Sequence, residues 1–390
     1  MTTFAELGLS KSTLAALTDA EYIEPTEIQL NTIPLLLSGS DIMGSAQTGS
    51  GKTAAFALPI IESLQEPQKR PRALVMVPTR ELALQVEDQF VKFSKYNKLR
   101  CVTLYGGTGY EKQTRALKRG VDIIVATPGR LLDMVERRVA DVSGVEILVL
   151  DEGDRLLDMG FMPQIRKVIS QLKKERQTVM FSATIDQRVH RLAAEFLNKP
   201  ITVKAKSTQI EPDAIDQKLY HVTEFGKDAL LVKLIEELEM SSVIVFTKTK
   251  RRAGWVRGRL RDANVLAEEI HGDISQSQRE KTLARYRDGR FKVLVATDVA
   301  ARGLDIPSIS HVVNYDLPDS PEDYVHRIGR TGRAGKSGVA LSFVNDEQRY
   351  LIRDIERVMG RQLEQEGKPE ARKVVPARRG FRSNGRRRVV

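Results

Sequence analysis

A chain of 390 residues is long enough for two domains of ordinary size. Its 41% hydrophobic and 29% charged residues are typical of globular proteins, and no apolar run approaches the roughly 18 residues that cross a membrane. A single cysteine excludes an internal disulfide. The first residues lack the basic and apolar segments of a secretory signal, so we expect a cytoplasmic protein without membrane contact.

The net charge of +11 is concentrated at the C-terminus. Residues 368–390 contain nine lysines and arginines against one acidic residue, a net charge of +8. After Gly367 the arginine, proline, glycine and serine content predicts disorder. A cationic arm of this kind binds nucleic-acid phosphates without sequence preference. A tail that only aids solubility is the alternative.

In chain order, short apolar runs alternate with helical patterns, which predicts βα units and parallel sheets. The strands predicted in the first half are Asp41–Gly44, Ala73–Val77, Val102–Leu104, Asp122–Ala126, Ile147–Asp151 and Thr178–Ser182. Helical patterns between them include Ala54–Leu64 and Arg80–Phe93. A polar stretch with a proline, at residues 204–213, interrupts the alternation and predicts an interdomain linker.

The alternation resumes in the second half. Its predicted strands are Gln217–Val222, Val243–Thr247, Val293–Thr297, His311–Asn314 and Gly338–Val344, and its predicted helices are Lys227–Leu238, Lys250–Asp262, Gln276–Asp288, Pro321–Arg330 and Glu347–Met359. We therefore predict an α/β protein of two tandem domains, each a mostly parallel sheet flanked by helices. The predicted parts are domain 1 at 1–205, a linker at 206–216, domain 2 at 217–359 and a basic tail at 360–390.

A glycine-rich loop follows the first predicted strand. Gly49 and Gly51 permit a tight turn whose backbone N–H groups point inward and cradle phosphates. Lys52 would bring its charge to the β- and γ-phosphates, and the Thr53 hydroxyl would ligate Mg²⁺. The predicted nucleotide-binding loop is Thr48, Gly49, Ser50, Gly51, Lys52 and Thr53. Since the second half lacks such a loop, we predict one nucleotide, bound between the domains.

Two carboxylates end the apolar run at 147–150. Asp151 would hold Mg²⁺ through water, and Glu152 would orient the water that attacks the γ-phosphate. An isolated Asp-Glu pair can equally be a solvated strand end. The buried strand before it and the phosphate loop upstream favour catalysis.

Arginines in the second half can complete the site. Arg330 and Arg333 lie three residues apart among glycines, so both could reach one phosphate group when the domains close. A solvated charged surface is the alternative interpretation. The predicted catalytic residues are therefore Lys52, Asp151, Glu152, Arg330 and Arg333.

Together these motifs resemble a DEAD-box RNA helicase, an ATPase of superfamily 2 with two RecA-like domains. The resemblance covers residues 4–358. The segment Glu24–Gln29 is similar to the family's Q motif, which implies that Gln29 hydrogen-bonds adenine and that Phe4 stacks on it, selecting ATP. Gly303 and Asp305 belong to a segment similar to the motif near the ribose, with Asp305 as the hydroxyl acceptor.

The resemblance also implies an RNA track across both domains. Its residues in domain 1 are Pro78, Thr79, Arg80, Gly106, Gly107, Thr127, Pro128, Gly129 and Arg130, and those in domain 2 are Thr249, Gly272, Gln276, Arg279 and Thr297. Backbone N–H groups, threonine hydroxyls and arginines would bind phosphates and 2′-hydroxyls, which gives RNA over DNA with little sequence preference.

A further motif, Ser182-Ala183-Thr184, is similar to the one that couples hydrolysis to unwinding in the family. The resemblance implies that its hydroxyls bond Asp154, and that His326 shares this coupling role. Gly153 replaces the alanine of the family's motif, and Glu27 and Glu21 depart from the usual Q motif. The flanking segments look most like short bacterial RhlE-like members.

The implied activity is ATP-dependent local unwinding of short RNA duplexes or remodelling of RNA–protein complexes by a monomer. Precursors of the ribosome and RNA-decay complexes are compatible partners. An ATP-gated RNA clamp with little unwinding activity is the alternative from another class. A DNA helicase of superfamily 2 is disfavoured by the Q motif, and a pseudo-enzyme by the intact catalytic residues.

Overall fold

The computed structural model describes residues 2–46, 50–204, 215–301, 309–332 and 337–366. Within these ranges the chain forms two sheets, each of seven parallel strands, one from each half of the chain. Helices flank both sheets. The predicted α/β fold with two parallel sheets is confirmed.

The strands of the first sheet are β1 Ile42–Ser45, β2 Ala73–Met76, β3 Cys101–Leu104, β4 Ile123–Ala126, β5 Ile147–Leu150, β6 Gln177–Ser182 and β7 Ile201–Lys204. The helices of this half are α1 Lys11–Asp19, α2 Glu27–Leu37, α3 Lys52–Leu64, α4 Arg80–Phe93, α5 Tyr110–Lys118, α6 Pro128–Glu136, α7 Gly153–Asp158, α8 Met162–Ile169 and α9 Gln187–Phe196. A short 3-10 helix at Phe4–Leu7 precedes them.

The strands of the second sheet are β8 Ile215–His221, β9 Val243–Thr247, β10 Ala267–Ile270, β11 Val293–Thr297, β12 His311–Asn314, β13 Gly338–Val344 and β14 Glu364–Glu366. Its helices are α10 Lys227–Glu237, α11 Lys250–Asp262, α12 Gln276–Arg287, α13 Asp298–Ala301, α14 Pro321–Ile328 and α15 Arg349–Met359. Two 3-10 turns, Glu224–Gly226 and Asp346–Gln348, complete this half.

The inner strands of both sheets, such as β2, β4, β5 and β9, are buried on both faces, which explains their continuous apolar sequences. In β2, for example, Val75 packs into one apolar layer and its neighbour Leu74 into the layer on the opposite face. Helices α3 and α4 cover the first face, and α6 and α8 cover the second. The strands are thereby held rigidly enough to position the loops at their ends.

Three strands were not predicted, namely β7, β10 and β14. All three lie at edges of their sheets. The second sheet also begins at Ile215 and ends at Glu366, outside the 217–359 range predicted for domain 2, and β14 pairs with β8 within what was predicted to be tail. The domain boundaries otherwise stay predictions.

The two sheets have the same strand order, β3-β4-β2-β5-β6-β1-β7 and β10-β11-β9-β12-β13-β8-β14. Each strand of the second sheet thus has the same place in its sheet as the strand numbered seven lower has in the first sheet, so that β8 corresponds to β1 and β14 to β7. Parallel strands deliver the loops that follow them to one edge of the sheet, where α/β folds bind ligands.

Candidate functional site

The strand order divides the carboxyl edge of the first sheet into two parts. Strands β5, β6 and β1 are neighbours, and they are followed by Asp151, Thr184 and the glycine-rich loop. Strands β3, β4 and β2 are also neighbours, and they are followed by the residues predicted to contact RNA. The fold therefore gathers the predicted nucleotide residues on one side and the predicted RNA residues on the other.

Lys52 begins α3 directly after Gly51, which has a left-handed φ of +92°. Its side chain is only 7% exposed, and its Nζ has no hydrogen-bond partner among the described residues. A buried, unpaired ammonium is costly, and an anionic ligand would compensate it. The geometry thus fits a lysine that binds phosphate.

The Q motif is tied to the glycine-rich loop. The buried Gln29 amide donates from Nε2 to the Gly51 carbonyl at 3.1 Å, and its Oε1 accepts from the Thr26 N–H at 2.9 Å. The Thr26 hydroxyl donates to the Ser50 carbonyl at 2.9 Å. These bonds use one N–H and one lone pair of the Gln29 amide, so a second of each is left for a base. Phe4, predicted to stack on adenine, is buried in the apolar layer near Tyr22, with ring centroids 6.5 Å apart.

The surroundings of the two carboxylates after β5 disfavour their ionised forms. Burial raises the pKa of Asp151, and the positive charge of Lys52 opposes that rise. Burial and the neighbouring Asp151 raise the pKa of Glu152, while Lys52 and Arg330 oppose it. Glu152 itself adopts a left-handed backbone conformation with φ of +52°, which is costly for a residue with a side chain. Such strain is typical of sites whose geometry serves function.

Asp154, in the segment after β5, is hydrogen-bonded to the loop after β6 and to the last residue of β6. The Thr184 backbone N–H and hydroxyl both donate to Asp154 Oδ2 at 3.1 Å. The Asp154 backbone N–H donates to Ser182 Oγ at 3.3 Å. The Asp154 carboxylate therefore accepts from threonine, whereas the Ser182 hydroxyl acts as an acceptor.

Arg155, which follows Asp154, crosses from the first half of the chain to the second. Its Nη1 lies 2.5 Å from Asp323 Oδ1, and its Nη2 contacts His326 Nδ1. Burial, with the charge of Arg155, lowers the pKa of His326 to about 3, so that His326 is neutral and accepts from the guanidinium. Sequence reasoning missed Arg155 and Asp323, because their partners lie more than a hundred residues away in the chain.

Two arginines near the end of α14 have different roles. Arg327 is buried within domain 2, where it donates to both carboxylate oxygens of Asp298 at 2.6 and 2.7 Å and to the Asp316 carbonyl at 2.6 Å. Its bonds are structural. Arg330 instead lies close enough to Glu152 of domain 1 for its positive charge to oppose the rise in the pKa of Glu152. The structure thus brings Arg330 to the predicted nucleotide site.

Among the predicted RNA residues of domain 1, Arg80 and Gly107 lie together. Gly107 has a φ of +80°, and a Cβ on it would overlap the Arg80 guanidinium. The Thr79 hydroxyl caps α4 by accepting from the Leu82 N–H at 3.3 Å. Gly106 faces open space. The small residues Gly106 and Gly107 leave room at this edge of the sheet, where an RNA backbone could pass.

Arg130 binds the loop that follows Gly107. It is buried, donates to the Thr108 carbonyl at 2.9 Å and to Gln113 Oε1 at 3.2 Å, and lies 4.2 Å from the centre of the Tyr110 ring. The Thr127 hydroxyl is likewise buried and directed at the Leu104 carbonyl. In the structure these polar groups form hydrogen bonds within domain 1, and the RNA contacts predicted for both residues stay predictions.

Domain 2 supplies matching positions. Arg279 reaches across the domains to Glu81 of α4, with 2.9 Å between Nη1 and Oε1, in a largely buried ion pair. Thr249 caps α11 by accepting from the Arg252 N–H at 3.2 Å. Thr297 ends β11, and Gly272 faces open space after β10. Strands β10, β11 and β9 are neighbours, as are their counterparts in domain 1.

Some predicted residues lie outside the described part of the chain. They are Thr48, Gly49, Gly303, Asp305 and Arg333, and the side chain of Gln276 is also not described. The tail after Glu366 falls there as well.

The sequence matches two family models, DEAD/DEAH box helicase over residues 26–192 and helicase conserved C-terminal domain over residues 226–335. The chain belongs to the DEAD-box helicase family. It is 45% identical to RNA helicase CrhR of Synechocystis over 93% of this chain and 74% of that protein. The predicted enzyme class, an ATP-dependent RNA helicase, is therefore confirmed.

Two solved structures of one relative match nearly the whole chain. S. cerevisiae Dbp5 bound to RNA and ADP BeF3 is 33% identical, with a TM-score of 0.84 over 94% of this chain and 96% of that chain. A point variant of Dbp5 bound to a variant of Gle1 and to IP6 is also 33% identical and covers 94% and 95%, but has a TM-score of 0.74. The chain is thus more similar over its whole length to the RNA-bound Dbp5 structure than to the Gle1-bound one.

In the described ranges, no helix is long and apolar enough to cross a membrane. The same residues contain no group of three or more His, Cys, Asp or Glu side chains that could hold a metal ion by themselves. Mg²⁺ is commonly bound by one or two carboxylates together with phosphates and water. The donor set of Asp151 and Thr53 fits that kind of site.

Proposed function

We propose that this helicase uses ATP hydrolysis to separate short RNA duplexes through closure of its two domains. The observation that carries the proposal is the chain of contacts from Thr184 through Asp154 and Arg155 to His326. It joins the loop after β6, the catalytic strand end and domain 2. A change at the γ-phosphate can thereby alter the contact between the domains.

In this mechanism each residue has a defined task. Lys52 neutralises phosphate charge, Asp151 and Thr53 hold Mg²⁺, and Glu152 orients the attacking water. The metal, when bound, neutralises charge that develops on the transferring phosphate. Arg330 approaches from domain 2, so its contribution depends on closure. Gln29 presents its remaining donor and acceptor to adenine.

RNA would lie across both sheet edges that carry glycines and threonines. A track of this composition binds backbone and 2′-hydroxyls and so discriminates RNA from DNA with little sequence preference. A strand held along it by both domains would bend away from A-form geometry and leave its partner. Ribosomal precursors and RNA-decay complexes, a cytoplasmic location and a monomeric state are the biological setting that we propose.

The test separates hydrolysis from unwinding. Thr184→Val keeps the volume of the side chain but removes the hydroxyl that donates to Asp154. We expect RNA-stimulated ATPase to persist while the release of a labelled strand from a short duplex falls by about tenfold or more, as loss of a hydrogen bond to a charged group costs roughly 1.5–3 kcal/mol. Thr178→Val, in the first part of β6 and away from the site, is the control. Wild-type protein that hydrolyses ATP yet releases no strand would identify an ATP-gated clamp instead.

A further inference from the structure

An exposed stripe on α11 has no part in the site described above. Arg251, Trp255 and Arg259 are spaced four residues apart and all are exposed, while Ala253, Val256 and Leu260 of the same helix are buried. Residues at this spacing lie on one face of a helix. The stripe is therefore a row of cation, aromatic ring and cation.

A second exposed ring lies beside it. Phe225, in the 3-10 turn before α10, is 98% exposed, and its neighbour Glu224 forms an ion pair with Arg252 of α11. The turn is thus held against the first turns of α11. Covering an exposed phenylalanine ring is favourable by roughly 1.5–3 kcal/mol, so a ligand that contacts Phe225 would gain from its burial.

Trp255 is fixed in orientation although it is 58% exposed. Its Nε1 donates to Asp228 Oδ2 at 3.0 Å, and the Arg259 guanidinium lies 5.8 Å from its ring centre. Because its indole N–H is already hydrogen-bonded, the Trp255 ring would lose little conformational entropy when a base stacks on it.

The stripe continues the RNA side of the sheet. Helix α11 begins at the cap Thr249, one of the predicted RNA contacts at the end of β9, and Arg251 follows two residues later. Beyond Arg259 the surface turns acidic, because Asp262 and Glu236 line the groove between α10 and α11. A polyanion bound along the stripe would therefore be repelled by these carboxylates beyond Arg259.

We propose that Phe225, Trp255 and Arg251 form an accessory subsite for single-stranded RNA that extends past the predicted RNA track. Bases stack on the two rings, and the stripe's guanidinium groups contact phosphates. Alternating aromatic and cationic groups of this kind bind single strands without reading their sequence. The subsite would lengthen the RNA footprint on domain 2 without altering the ATP site.

The chain offers a direct probe, because Trp255 is its single tryptophan. In the full-length protein with a non-hydrolysable ATP analogue, tryptophan fluorescence is followed during titration with oligouridylates. The first is the shortest that saturates ATPase stimulation, and two others are extended at the 5′ or the 3′ end. We expect one extended RNA to quench Trp255 and to bind more tightly, while the short RNA leaves its emission unchanged.

Variants test the same subsite by affinity. Phe225→Ser and Arg251→Gln should each weaken binding of the extended RNA, by about fivefold or more for the ring, and leave the affinity for the short RNA and its ATPase stimulation intact. Tyr350→Ser and Arg357→Gln alter an exposed ring and an exposed arginine on α15, and they should change neither the affinity for the extended RNA nor that for the short RNA. Unchanged Trp255 emission with both extended RNAs would overturn the proposal and leave the exposed rings to a protein partner. Failure of the short RNA to stimulate ATPase would instead count against the helicase function.

Discussion

At the scale of single residues, the site combines groups that are costly in the absence of ligand. Lys52 is buried without a hydrogen-bond partner in the described residues, Asp151 and Glu152 have raised pKa values, and Glu152 has a left-handed backbone. Nucleotide and metal would compensate the charges. The same residues should therefore lower the stability of the nucleotide-free protein.

Asp151→Asn tests this cost through its pH dependence. Because burial raises the pKa of Asp151, its folded value lies above its unfolded one, so stability falls as pH rises through that window. At about pH 7 the ionised form costs about 1.4 kcal/mol for each unit of the shift. We expect Asp151→Asn to abolish ATPase yet raise the urea midpoint of unfolding, with the gain disappearing below about pH 4.

Asp141→Asn is the matched control of opposite sign. Hydrogen bonds from the Ser143 hydroxyl and N–H lower the pKa of Asp141, so its contribution to stability is present above the unfolded pKa. This variant should lower the midpoint slightly at neutral pH and leave ATPase unchanged. A lower midpoint for Asp151→Asn at neutral pH would contradict the cost assigned to the site.

Gly153 gives a second test at this scale. A Cβ there would lie 3.2 Å from Met180 Sδ, the end of a flexible side chain, and no catalytic atom would be displaced. In the first turn of α7, alanine also restricts the unfolded chain by roughly 0.5–1 kcal/mol relative to glycine. We expect Gly153→Ala to keep RNA-stimulated ATPase within about threefold and to change stability by less than about 1 kcal/mol.

The bulkier Gly153→Leu is the informative comparison, because it cannot be accommodated by Met180 alone and should lose activity and stability together. ATPase with and without structured RNA, measured with urea unfolding, distinguishes the variants. A wild type that RNA does not stimulate, rescued by alanine, would show that Gly153 disables the motor.

At the scale of elements, the two domains meet through ion pairs between helices. Helix α7 contacts α14 through Arg155 and Asp323, and α4 contacts α12 through Glu81 and Arg279. Both pairs are largely shielded from water, so removing one partner takes a close opposite charge away from a group with little access to solvent. When the domains open, water can hydrate the remaining charge. The cost therefore falls on closure and not on the folding of either domain.

Asp323→Asn should therefore weaken closure rather than folding. We expect the RNA concentration that half-saturates ATPase to rise by about tenfold or more, with basal ATPase and the unfolding midpoint nearly unchanged, since a broken buried pair costs several kcal/mol. Arg155→Met should behave similarly, and the double variant should be no worse than either single one. Glu195→Gln breaks the exposed pair with Arg166 and serves as the control. Additive losses in the double variant would show that the two residues act separately.

The elements also show what sequence could and could not predict. Buried strands such as β4 and β9 were found because both of their faces are apolar. The edge strands β7, β10 and β14 were missed because they are partly exposed and carry polar residues, with Glu268 and Glu269 inside β10. Motif spacing predicted the catalytic residues, but the hydrogen bonds of Arg130 within domain 1 and the pairing of Arg155 depend on tertiary contacts.

At the scale of the whole molecule, closure brings a neutral histidine into a charged interface. Burial and Arg155 lower the pKa of His326 to about 3, Arg330 acts in the same direction, and Asp154 and Asp323 oppose them. On opening, the imidazole is hydrated and its pKa returns toward about 6.5. The open form therefore binds more protons between these values, so closure is favoured above that window and weakened as pH falls through it.

We expect energy transfer between dyes on the two domains to report less closure at about pH 5.5 than at about pH 7.5, with RNA and a non-hydrolysable ATP analogue present. His326→Gln removes the titrating group but keeps an acceptor for Arg155, so its closure should depend less on pH. An equally steep profile in His326→Gln would place the titrating group elsewhere.

The tail tests how charge is divided over the molecule. Residues 368–390 carry a net +8, which leaves +3 for the remainder, so most long-range attraction for RNA resides outside the two domains. Each phosphate neutralised on a single strand contributes about −0.7 to the slope of log affinity against log salt concentration. Deletion of 368–390 should weaken RNA binding at low salt and flatten that slope, while basal ATPase is spared because the predicted catalytic residues all precede residue 368. A slope that does not change would show that the domains, and not the tail, neutralise the RNA phosphates.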